Sequence, residues 1–290
     1  MGIFLTIVQI RSVTLRSHKN MFDCHLHSYF SGDSNAKFED IIKAALQNNL
    51  FGLVFTDHYE FEFPNPKYDF SFDVLKRADL IKEFQEKLSK DLILLCGVEL
   101  GLQSKKLLEA ESFLLENNFD CVIASVHSID NQDFKPGLFE GKNQLDIFKK
   151  YLEEILFGVT NFKNYDIVGH IGYICRYVPQ KYNTVFQDEL APLLDQILIQ
   201  IINNKKALEV NTSGIRQNLG FTLPDYTILK RYFELGGRII TLGSDAHLAE
   251  HVGSKFKDVS KILKHIGFTE AVYFKDRKPI SYPLIEIKKN

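Results

Sequence analysis

Seven short apolar runs, each followed by a longer stretch of helical period, restrict this chain to very few folds. The runs cover residues 22–27, 52–58, 92–100, 119–127, 166–171, 207–212 and 238–244, and are rich in Val, Ile, Leu and Phe. Continuous rather than alternating hydrophobicity over so few residues is the pattern of parallel strands covered on both faces. Helices are expected between them at 36–49, 74–89, 105–117, 144–161, 188–204, 224–235 and 255–266. In the first of these, Ile41, Ile42, Ala45 and Leu46 fall on one face. Pro224 suits a first helical turn, and Gly236 with Gly237 suits a helix stop. An unbroken succession of βα units implies a parallel sheet, closed into a barrel or open and doubly wound.

The strand ends choose between these two. In a barrel the C-terminal ends of all strands share one mouth, whereas an open sheet gathers its site at one switch point. Here nearly every run ends on a residue capable of chemistry, so a single-domain α/β barrel of seven strands is expected over residues 21–290. The chain's 290 residues and 45% hydrophobic content suffice for that core. Residues 1–20 read as an N-terminal extension. The apolar run at 2–10 is too short to cross a bilayer, no basic segment precedes it, and Arg11 and Arg16 follow it. No other apolar stretch approaches ~20 residues, so a soluble, cytoplasmic protein without a membrane partner is expected. A net charge of −2 gives no basic field for a nucleic-acid backbone, and no nucleic-acid partner is expected. Cys24, Cys96, Cys121 and Cys175 form no CxxC pair and read as buried thiols in a reducing compartment.

Strand one ends in His25 and His27, which alternate along the strand and so project to one side, where they can grip one ion. Strand two ends in His58, strand three in Glu99, strand four in His127 and strand five in His170; Asp245 and His247 follow strand seven. Asn211 faces the mouth by period at the end of strand six and could orient a ligand or substrate. Six of the nine histidines thus stand at strand ends, while His18, His251 and His265 carry no assigned role. Any one of the six, taken alone, reads as a hydrogen-bonded structural residue. Converging together with Glu99 and Asp245 and no cation, they would leave carboxylates desolvated at considerable cost. Imidazole with carboxylate and no thiolate suits Zn, Fe or Mn. So many donors exceed what one ion accepts while keeping an open position, so two or three divalent transition-metal ions are expected, bridged by a carboxylate. Such clusters make water nucleophilic near neutral pH and neutralise phosphoryl oxygens.

Taken in order, HLHSYFSGDS, TDH, GVE, SVH, GH and SDAH resemble the motifs of the PHP (polymerase and histidinol phosphatase) metal-dependent phosphoesterases, over roughly residues 21–250. The resemblance implies a distorted seven-stranded barrel with a trinuclear site. Carried over by motif, His25, His27, Glu99 and Asp245 match the ligands of one metal. Glu99 bridges to a second, completed by His127 and His170, and Asp33, His58 and His247 match the third. Asp33 also reads as a carboxylate at the N-terminal end of the helix at 36–49. Within the superfamily, length and two arginines are most similar to the histidinol-phosphate phosphatases, which act in histidine biosynthesis. Arg176, in GHIGYICRY, and Arg216, in EVNTSGIR, fall on loops at the expected rim, where a guanidinium can fork onto phosphate; otherwise they read as surface ion pairs.

The resemblance therefore implies a small phosphorylated substrate, L-histidinol phosphate. Glu99 would stand beside the attacking water, and Asp245 or His247 would supply the leaving group's proton. Other members of the superfamily act on nucleotides, oligonucleotide ends or phosphotyrosine. The amidohydrolases also open on HxH but commonly carry a lysine after strand four, where this chain has SVH. A non-catalytic metal-binding barrel should show broken ligand positions, and none of the core positions is broken. Phe61, Phe63, Tyr68 and Phe70 after TDH read as rim packing, with an aromatic lid as the alternative.

Overall fold

The computed structural model describes residues 21–88, 92–178, 188–217 and 219–285; the extension read at 1–20 lies outside them. Seven parallel strands pair in sequence order: β1 (Met21–Leu26), β2 (Leu50–Phe55), β3 (Ile93–Gly101), β4 (Cys121–Ser125), β5 (Ile167–Val168), β6 (Ala207–Asn211) and β7 (Ile240–Gly243). Every pairing along that path is parallel. The seam between β7 and β1 is closed only near the mouth, by a parallel bridge between Leu26 and Ala246. There Asp245 N–H donates to His25 O at 2.7 Å and His27 N–H to Ala246 O at 2.9 Å. The segment that completes the near-closed barrel is thus the one that carries the polar motifs.

Among the described residues the longer helices are α1 (Phe38–Gln47), α2 (Val74–Lys87), α3 (Leu107–Glu116), α4 (Gln144–Asn161), α5 (Ala191–Asn203), α6 (Tyr226–Glu234) and α7 (Phe256–Ile266). Arg176 and Arg216, expected on loops, stand on the short helical segments Tyr173–Tyr177 and Ser213–Arg216. Asp73, Asn143 and Asp225 cap α2, α4 and α6 by accepting first-turn N–H groups. On α1 the face turned to the barrel is Phe38, Ile41, Ile42, Ala44 and Ala45, close to the stripe read from period. Gly236, with φ 97°, ends α6 as expected. Pro224 is not in its first turn: Asp225 holds the cap, and Pro224 lies before it, accepting the Thr222 hydroxyl at 2.7 Å.

The run read at 166–171 yields only a two-residue strand, Ile167–Val168. Gly169 N–H still donates to Ala124 O at 2.9 Å, but His170 N–H turns to the Glu209 carboxylate at 2.7 Å and leaves the ladder. After β2 a short segment, His58–Tyr59, pairs with β3 and sets His58 directly beside Glu99. A C-terminal hairpin, β8 (Glu270–Lys275) and β9 (Lys278–Pro283), covers the N-terminal ends of the strands. Tyr273 stacks on Phe22 at 4.2 Å, and the Tyr282 hydroxyl donates to Phe22 O at 3.4 Å. Cys24, Cys121 and Cys175 are buried as expected, whereas Cys96 is only half-buried beside the Arg77 guanidinium. No helix among the described residues is long and apolar enough to cross a membrane.

Candidate metal centre

Glu99, fully buried at the mouth end of β3, presents its two oxygens to different sets of imidazoles. Its Oε2 lies 3.0 Å from His25 Nε2, 3.4 Å from His27 Nε2 and 2.9 Å from His58 Nδ1. Its Oε1 lies 2.7 Å from His170 Nε2 and 3.2 Å from His127 Nε2. Asp245 Oδ1 joins the first set, 3.5 Å from His27 Nε2 and 4.0 Å from His25 Nε2. Asp33 Oδ2 lies 3.1 Å from His247 Nε2 and 3.6 Å from His58 Nε2. It is not at a helix cap, because α1 starts after Lys37 with no side-chain cap. The motif residues thus lie close together, and the compact sets of three among the described residues are His27, His58 and His247; His25, His27 and Asp245; His25, Glu99 and His170; and His58, Glu99 and His127. His58 joins two of these sets, and its ring nitrogens face Glu99 and Asp33.

The donor chemistry fits a cluster of cations. His25 Nε2 and His27 Nε2 face each other at 3.0 Å, and His127 Nε2 and His170 Nε2 at 3.3 Å. Donors sharing an ion at bond lengths near 2.0–2.1 Å stand about 3.0–3.4 Å apart. Behind the mouth, His25 Nδ1 is 2.6 Å from Glu209 Oε1, His127 Nδ1 2.5 Å from Glu60 Oε1 and His27 Nδ1 3.0 Å from Ser31 Oγ. An Nδ1–H donated outward leaves the Nε2 lone pair aimed at the mouth, where only a cation can reconcile several of them. His170 and His58 depart from this arrangement: among the described residues His170 Nδ1 has no hydrogen-bond partner, and His58 turns its Nδ1 toward Glu99.

The electrostatics show the same convergence. Burial alone would raise Glu99, but the imidazoles of His25, His58 and His127 outweigh it and hold the carboxyl well below its usual range. Burial likewise disfavours charge on His127, yet Glu99 and Glu60 push it up to about 10. His27 is driven down to about 3, first by burial and then by His247 and His58 beside it.

Asp245 is held in the left-handed region at φ 52°, a conformation that short polar side chains tolerate and that recurs at functional sites. Arg216 braces it, donating from Nη1 to Ser244 O and from Nη2 to Asp245 O, both at 3.0 Å. Arg176 is half-buried and pairs with a site carboxylate; its Nη2 donates to Asp245 Oδ2 at 2.8 Å and to Ser213 Oγ at 2.6 Å. Both arginines line a cavity of about 440 Å³ with Asp33, His58, His127, His170, Asp245 and His247. His251, given no role from sequence, also lines it. Asn211 reaches the site at one remove, its Oδ1 accepting Ser213 N–H at 2.9 Å, while Ser213 Oγ donates to Asp245 Oδ2 at 3.1 Å. Phe61 packs against Phe113, and Phe70 is buried with its ring 4.8 Å from His58, as rim packing requires.

Sequence reasoning missed Glu209, Glu60 and Asp23. Asp23 accepts the N–H groups of Ser244 and Gly253, each at 2.9 Å, and so holds the segment that closes the barrel. Glu209 is the sharpest omission, because a carboxylate inside the apolar run 207–212 needs a buried partner. Gly243 makes room for it: a Cβ there would lie 2.1 Å from Glu209 Oε1 and 2.7 Å from His25 Cβ.

Known proteins of the same kind exist. A family model described as PHP domain matches residues 23–213. A probable histidinol-phosphatase of Clostridium acetobutylicum is 30% identical over 263 residues, covering 89% of this chain and 98% of the relative. The histidinol-phosphatase of Lactococcus lactis subsp. lactis is 31% identical over 259 residues, covering 88% and 95%. The fold is similar to a crystal structure of histidinol phosphate phosphatase from Lactococcus lactis complexed with zinc, L-histidinol and phosphate. That match has a TM-score of 0.82 at 29% identity and covers 90% of this chain and 99% of the other.

Proposed function

The chain belongs to the PHP-domain family, and on that premise we propose that it hydrolyses L-histidinol phosphate to L-histidinol and inorganic phosphate, using two or three divalent transition-metal ions. The observation that carries this reading is Glu99, whose two oxygens face separate imidazole sets in a cavity that also holds two arginines. His25, His27, Glu99 and Asp245 would hold one ion, and Glu99, His127 and His170 a second. Asp33, His58 and His247 would hold the third. Zn, Fe and Mn all suit these donors, and the Lactococcus relative was crystallised with zinc. When bound, such ions supply Lewis acidity that makes water nucleophilic near neutral pH and offsets phosphoryl charge.

The chain's own residues supply the rest. Arg176 and Arg216 are pre-oriented by their contacts with Asp245 and Ser244 and present guanidinium charge to the phosphoryl oxygens. Asp245 is the poorer of the two candidate proton donors. Its Oδ2 already accepts from Arg176 and Ser213, and its Oδ1 faces His25 and His27. His247, with its ring partly exposed at the rim, is the freer of the two, and it would donate only while its Nε2 holds no ion.

Phosphate release from L-histidinol phosphate, a mononucleotide and a phosphotyrosine peptide, measured side by side on metal-loaded protein, tests the substrate. The highest kcat/KM is expected for L-histidinol phosphate. Preference for either of the others would overturn that assignment while keeping the phosphatase, and no release from any would overturn both.

A further inference from the structure

Behind the mouth one ion pair is completely sealed from solvent. Arg77 of α2 and Asp57, between β2 and His58, are both fully buried, with Arg77 Nη1 3.0 Å from Asp57 Oδ2. Such a pair carries a desolvation cost that often makes it no better for stability than apolar residues of the same volume, so its partners indicate its use. Arg77 Nη2 also donates to Gly97 O, two residues before Glu99 on β3. Asp57 Oδ1 accepts Ser28 N–H at 2.6 Å and faces Ser31 Oγ at 3.3 Å. Ser31 Oγ in turn stands 3.0 Å from His27 Nδ1 and accepts His58 N–H at 3.0 Å. The pair thus reaches His27, His58 and Glu99, from three different strands, each at one remove.

The direction of this chain of hydrogen bonds is decided by charge. An anionic Asp57 only accepts, so the Ser31 hydroxyl donates to it and His27 Nδ1–H donates to Ser31 Oγ. That fixes His27 in the tautomer whose Nε2 lone pair points into the mouth. We propose that Arg77 and Asp57 are a positioning pair for the metal centre. Asp57, anchored by Arg77, sets the His27 tautomer through Ser31, while Arg77 ties the backbone under Glu99 to that under His58. This rests on the metal-phosphatase reading above.

Arg77→Lys keeps the charge but lacks the fork that serves Asp57 and Gly97 O together. Asp57→Asn keeps the shape but can turn an N–H toward Ser31. Zn²⁺ affinity by chelator competition, Tm of the metal-free protein, and kcat and KM for L-histidinol phosphate are read for both. The expected result is folded protein with Zn²⁺ affinity weakened about 10- to 100-fold, and a lower kcat at a KM near the wild-type value, because Arg176 and Arg216 are untouched. Wild-type Zn²⁺ affinity in the folded variants would overturn the proposal, as would their failure to fold, which would assign the pair to the fold. Ser31→Ala cuts the link without disturbing the ion pair. It is expected to weaken Zn²⁺ binding with the metal-free Tm unchanged, and wild-type affinity there also overturns the proposal. Should the wild-type protein release no phosphate, the phosphatase reading fails, while the Zn²⁺ affinities still decide the role of the pair.

Discussion

Glu209 acts from behind the mouth, where Oε1 holds His25 Nδ1 and Oε2 holds the backbone N–H of His170. One buried carboxylate therefore orients candidate ligands from β1 and β5. Outer partners of this kind set ligand orientation and basicity. Glu209→Gln should weaken metal binding about 10- to 100-fold in chelator competition, with KM little changed; wild-type affinity would reduce Glu209 to a packing residue. Arg216 makes the opposite split. Its hydrogen bonds go to backbone carbonyls of a segment already fixed by Asp23 and His25. Arg216→Ala should raise KM and lower kcat/KM by on the order of 10²-fold in steady-state assays, with bound metal unchanged. Loss of metal instead would assign Arg216 to bracing Asp245 rather than to the substrate. At this scale the residues facing the mouth were legible, because alternation along a strand and repeated strand-end placement mark them. Glu209 and Glu60 were not, since their partners are ring nitrogens on other strands and no spacing in sequence records that contact.

The elements divide the labour between the two ends of the barrel. Glycine, histidine and carboxylate collect at the C-terminal ends of the strands, and the aromatic hairpin β8–β9 seals the N-terminal ends. Tyr273, stacked on Phe22 and nearly buried, belongs wholly to the sealing end. Tyr273→Ala should cost about 3 kcal/mol in denaturant unfolding, as large-to-small aromatic substitutions do, while the folded fraction keeps its metal content and kcat. A variant that loses metal at unchanged stability would contradict that separation. The hairpin was absent from the sequence reading, because β8 and β9 lie beyond the last βα unit and pair only with each other in the sheet. The brevity of β5 was equally hidden: the apolar run continues past Val168, but a side-chain carboxylate takes the His170 amide.

Across the whole molecule, the βα alternation foretold the seven strands of the near-closed barrel, and the barrel closes where the motifs meet. That closure is physically demanding, since the Leu26–Ala246 bridge sits between His25, His27, Asp245 and His247. Closing the seam therefore brings these four donors together, and ions binding only the folded state would add to its stability by mass action. The seam was illegible in sequence because β1 and β7 stand more than 200 residues apart in a chain of 290. The central claim is that these donors hold a small cluster of ions that runs phosphate-ester hydrolysis. Titrating chelator-stripped, folded protein with Zn²⁺ or Mn²⁺, while following phosphate release from L-histidinol phosphate, tests it most directly. Activity should be absent without metal and saturate between two and three equivalents bound; full activity in the stripped protein, or no metal uptake at all, would contradict it.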